Sequence, residues 1–228
     1  MTMSGAVIER RVIDRPVEFR AAPEGSSSPG ILGGYAAVFD QISRDLGGWF
    51  EEIAPGAFGA PIEGGALDLK LHTRVIARAE HDSRLLLGTT NAGTLRLFID
   101  DIGLRFEIDL PNTNAGRDVA ELAERGDYVF ASFAFSALEA DYREDADGRF
   151  IRTVLRATLH DVAPVADPAY WGASAQMQRA FDLEAARASL SPAPAEPGER
   201  EATVRSAAAT MTRETHPALV NRPRKRGI

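Results

Sequence analysis

Residues 128–144 read YVFASFAFSALEADYRE, and Val129, Ala131, Phe133, Phe135 and Ala137 alternate onto one side. That period of two is the pattern of a half-buried strand. The other side carries Phe130, Ser132, Ala134 and Ser136, which is small and hydroxylated after its first member. So bare a face has two readings. It packs closely against another element, or it leaves open space above Ser132 because something reacts there.

The same patterning divides the rest of the chain. GTLRLFIDDIGLRFEIDLP predicts a hairpin, with Leu95, Leu97 and Ile99 alternating, a DDIG turn, and Leu104, Phe106, Ile108 and Leu110 alternating back. NTNAGRDVAELAERGD predicts a helix with an Asn or Thr N-cap, an apolar stripe of Val119, Leu122 and Ala123, and Gly126 as its stop. EDADGR turns the chain into a second long strand, FIRTVLRATLHDVAPV. Upstream, RRVIDRPVEFRA and ILGGYAAVF are strand-like and flank a GSSSPG break. A loop and short helix are expected around residues 54–60, a strand in LDLKLHT, and a polar turn between extended pieces in ARAEHDSRLLLG. DPAYWGASAQMQRAF closes the folded part as a turn and short helix. Hairpin-linked strands without βαβ alternation predict a mainly β, α+β fold, a closed or nearly closed antiparallel barrel with a few flanking helices.

After about residue 181 the chain becomes rich in Ala, Pro and Ser, as in SLSPAPAEPGER, and reads as linker. The expected organisation is one domain over residues 1–181 and a flexible tail over 182–228. Net charge is −7, with −9 on the first 181 residues and +2 on the tail. Its basic end, RPRKRGI, reads as a solvated terminus, so no specific nucleic-acid partner is expected. No run approaches the roughly 18 apolar residues of a membrane span, and the N-terminal stretch has no apolar core of a secretory signal.

Cysteine is absent, which excludes disulfides, thiolate nucleophiles and Cys-ligated zinc. The four histidines, His72, His81, His160 and His216, form no helix-borne metal pair. There is no Gly-rich phosphate loop and no GxSxG elbow, so neither a metal nor a cofactor is expected. A serine nucleophile needs a base and an orienting group behind it. Ser132 serves as one or simply fills a tight gap between strands. His81, in a polar turn, is either solvated or the base. His160 and Asp161 are neighbours on a strand and are expected to face opposite ways, so only one can meet the site. Asp161 falls in line with Leu155, Ala157 and Leu159, where a carboxylate needs a partner.

Five segments in order resemble the prohead maturation proteases of tailed bacteriophages, distant relatives of the herpesvirus assembly proteases. They are GYAAVFDQISRDLGGWFEEIAPGAF, EHDSRLLLG, the hairpin-and-helix spacer, ASFAF and LHDVAPVADPAY, together covering about residues 8–180. The resemblance implies a serine endopeptidase with Ser132 as nucleophile, His81 as base and Asp161 as third member. His160 is the rival third member, because the assembly proteases use a second histidine. Three positions depart from the family pattern: Glu80 stands where Asn is common, Ala134 where Gly is usual, and Ala163 where Ser is usual. The resemblance also implies cleavage of the scaffolding segment of a major capsid protein, and of the enzyme itself, inside a procapsid assembling in the bacterial cytoplasm. Self-association is implied as well. The alternative is a catalytically silent, scaffold-binding module of the same fold.

Overall fold

The computed structural model describes residues 7–13, 15–166 and 186–187. Along them run β1 (Glu9–Ile13), β2 (Glu18–Ala21), β3 (Gly30–Val38), β4 (Phe50–Ile53), β5 (Ile76–Arg78), β6 (Leu86–Thr89), β7 (Leu95–Ile99) and β8 (Gly103–Asp109). After these come α1 (Asn114–Glu124), β9 (Phe130–Glu144) and β10 (Phe150–Val165). One sheet has the order β1-β9-β10-β5-β6, with β4 also paired to β10; the other is β2-β3-β8-β7. The fold is mainly β with one α-helix among the described residues. The pairings of the described residues make two sheets and do not include a single closed barrel. Nor is every pairing antiparallel, because β4 and β5 both run parallel to β10.

The 95–110 hairpin forms as β7 and β8. In α1, the Thr113 hydroxyl caps by accepting the Gly116 N–H at 3.3 Å. A side chain at Gly116 would meet the Pro111 carbonyl at 2.0 Å, so only glycine fits there. LDLKLHT is not a strand. The Asp68 carboxylate accepts the Lys70 N–H at 3.1 Å and folds Leu69–Leu71 into a single 3-10 turn. Residues 54–60 form successive turns, closed by Ala57 N–H to Ala54 O and Gly59 N–H to Gly56 O, instead of a helix. RRVIDRPVEFRA divides into β1 and β2, which belong to different sheets.

Phe133 and Phe135 stack at 5.1 Å in the core with Phe58, Leu159 and Val162, each side chain contributing about 1.5–3 kcal/mol of burial. On the same side of β9, Arg11 and Glu9 of β1 join Glu51 of β4 and Arg152 of β10 in a buried ionic cluster. Arg11 donates to Glu51 and to Glu9 at 2.8 Å, and Arg152 donates to both at 2.7 Å. Trp49 lies under both guanidinium groups. Burial alone would raise the Glu9 pKa, but Arg152 and Arg11 together hold it below the ordinary carboxylate value.

Ala186 is buried against Leu46, Trp49 and Phe150. The turn and helix expected in DPAYWGASAQMQRAF and the tail after 187 lie outside the described residues.

Candidate active site

Three elements converge on Ser132. β9 carries the serine at a position opposite Val12 of β1 and Ala163 of β10. β5 runs parallel to β10 with Ile76 opposite Asp161. The turn that follows β5, Ala79–His81, is thereby delivered to the carboxylate. Within it Glu80 and His81 are consecutive left-handed residues, with φ of 52° and 55°. The turn closes through Asp82 N–H to Ala79 O at 2.9 Å. Asp82 is itself held by Arg84, whose hydrogen bonds lower its pKa to about 2.

His81 Nε2 lies 2.6 Å from Ser132 Oγ, and His81 Nδ1 is in a short contact with Asp161 Oδ1. With Nδ1–H donated to the carboxylate, Nε2 keeps its lone pair and accepts the Ser132 hydroxyl proton. The order is serine, imidazole, carboxylate. Ser132 Oγ has a second acceptor, the Arg11 carbonyl of β1, at 3.0 Å. Asp161 is 5% exposed, and a buried carboxylate needs partners. Besides His81, it has Arg78, whose Nε is 3.3 Å from Asp161 Oδ2. That Nε makes no hydrogen bond, so the contact is an ion pair without directed geometry.

His160 does not turn away from this face as expected. A β-bulge between Leu159 and Asp161 adds one residue to β10, and His160 is that residue. The bulge leaves Leu159 opposite Phe135 in the core and re-aims Asp161, opposite Ala134, toward His81. His160 reaches the same side and sits 2.8 Å from Ser136 Oγ, which also donates to the Val7 carbonyl at 2.9 Å. Leu155, expected in the same apolar row, falls at another register shift and is 40% exposed. The small face of β9 is covered, with Ser132 and Ser136 each 2% exposed. Small side chains there let the two imidazoles and the Val7 and Arg11 carbonyls come close.

His72 is a core residue. Its Nε2–H donates to Phe58 O at 2.8 Å, and its Nδ1 accepts the Leu159 N–H at 3.1 Å. His216 lies outside the described residues. Among the described residues no three His, Asp or Glu side chains gather as a metal site. Sequence reasoning missed Arg78, although its position three residues before the candidate histidine was a signal. The Arg11 carbonyl left none, because any residue has one.

A model of the caudovirus prohead serine protease family matches residues 16–187, which include His81, Ser132 and Asp161 but not β1. No curated protein and no solved structure matches the chain.

Proposed function

The chain belongs to the caudovirus prohead serine protease family and is thus a serine peptidase; from that premise we propose that Ser132, His81 and Asp161 are its catalytic residues. The observation that carries the assignment is the unbroken hydrogen-bonded order Ser132–His81–Asp161. A catalytically silent module would have no need of that order.

Ser132 Oγ attacks the scissile carbonyl carbon as His81 Nε2 takes its proton. The imidazolium is stabilised by Asp161 and gives the proton to the leaving amine, and water then releases the acyl group from Ser132. Asp161 also fixes the productive tautomer. While Ser132 directs its proton to Arg11 O, His81 receives none, so attack requires the hydroxyl to turn to Nε2.

The family acts in capsid maturation within the assembling procapsid. The substrate in this reading is the scaffolding segment of the major capsid protein, with the enzyme's own chain as a second substrate. The enzyme acts inside a procapsid in the bacterial cytoplasm, as a self-associating protein without a cofactor. No helix among the described residues is long and apolar enough to cross a membrane. The test is co-expression with the cognate major capsid protein, with mass spectrometry of the capsid N-terminus. Ser132→Ala is expected to leave the capsid protein uncut and the protease folded. Normal cutting by that variant sinks the assignment.

A further inference from the structure

Glu80 stands beside the candidate base in a backbone conformation that suits Asn or Gly better than Glu. Two left-handed residues in succession are strained and persist only where the surroundings hold them. The surroundings here are specific. Glu80 Oε1 accepts the Ala166 N–H at 2.8 Å, just past the end of β10. The Tyr128 ring, two residues before β9, lies near enough for the same carboxylate to act on its hydroxyl. Tyr128 is buried, and burial first, then the nearby Glu80 carboxylate, pushes its pKa up to about 12. One side chain therefore ties the turn bearing His81 to the end of the strand that carries Asp161.

We propose that Glu80 is a positioning residue: its carboxylate clamps the left-handed Glu80–His81 turn to the backbone at the end of β10, and so sets His81 between Ser132 and Asp161. The inference rests on the reading of His81 as the general base. The work is done by an acceptor oxygen at the right reach, and the negative charge is incidental. An amide oxygen at that place holds the turn equally well. A shorter side chain fails even where it favours left-handed backbone.

Two measurements on the full-length protein test this. Fluorophosphonate labelling of Ser132, followed by intact mass, reads how well His81 activates the nucleophile. The low-field Nδ1 proton of His81 in NMR, assigned by its absence in His81→Gln, reads the contact with Asp161 and needs no turnover. Glu80→Gln is expected to keep the proton signal and a labelling rate within about threefold of wild type. Glu80→Ala is expected to lose the signal and label about 10²-fold more slowly, the cost of a base displaced by about 1 Å. Glu80→Asn favours the turn but is one methylene short of Ala166, and is expected to behave like Ala. If Asn matches wild type in both readouts, backbone preference positions His81 and the clamp is wrong. If Glu80→Ala does not fold, the comparison of Gln with Asn still decides. Failure of the wild type to label at Ser132 would count against the catalytic assignment, while the proton signal would still judge the clamp.

Discussion

Leu159 and Asp161 are two positions apart on β10 yet face opposite sides of the sheet, Leu159 against Phe135 in the core and Asp161 against His81. The bulge at His160 reverses the alternation between them. It also gives both rival third members access to one face, so their partners must separate them. Asp161 meets His81, whereas His160 meets Ser136. Asp161→Asn is therefore expected to lower kcat by about 10⁴-fold, through the wrong imidazole tautomer. His160→Gln is expected to change it by less than about tenfold, since it carries no proton of the reaction. Cleavage of a capsid-derived peptide measures both. The opposite ranking would make the site Ser-His-His.

The cluster of Glu9, Arg11, Glu51 and Arg152 ties β1 to the sheet, although β1 lies outside the family match. Glu51→Gln leaves two buried guanidiniums facing one carboxylate. Loss of one partner of a buried pair costs about 3–5 kcal/mol. Urea unfolding should register a loss of that size, with the midpoint falling and the slope unchanged. A loss below about 1 kcal/mol would mean that the cluster behaves like exposed ion pairs.

Buried His72 predicts a pH dependence of stability. Burial, its largest influence, lowers its pKa below 6.5; the Phe58 carbonyl and Asp68 pull upward, and His160 pushes further down. The unfolded chain thus binds the proton more readily, and unfolding free energy rises with pH across that window. The contribution is complete above 6.5 and is lost as pH falls below it toward the lowered folded value. Protonated Nδ1 can no longer accept the Leu159 N–H. Between about pH 8 and about pH 5, wild type should lose more stability than His72→Gln. Parallel losses would show that other groups carry the dependence.

Ala186 fills a place against Trp49 and Phe150, and the unit containing it runs to Ser191. A chain ending at Ser191 is expected to melt as the full-length protein does. A chain ending at residue 181 should melt lower, by roughly 2–4 °C for each kcal/mol of packing lost. Equal melting of the two shortened chains would show that Ala186 adds nothing.

The sequence by itself determined the elements whose signals are local. The 95–110 hairpin, the Thr113-capped helix and the two long strands are written in side-chain period and turn chemistry, which act between near neighbours. The order of segments, with their resemblance to a known family, singled out Ser132, His81 and Asp161. Tertiary structure decided what those residues touch. LDLKLHT has the alternation of a strand, but the Asp68 side chain competes successfully for the backbone. Asp161 reads as sharing a face with Leu159, because period two holds only while a ladder is unbroken, and a bulge leaves no mark in composition. The partners of Glu51 and Arg152 lie far along the chain and come together only when β1, β4 and β10 meet around one core. The candidate residues are legible because they fall in ordered segments that resemble a known family, and because only four histidines compete for the role of base. Their geometry is not, because it is set by register, and register is settled by the whole sheet at once.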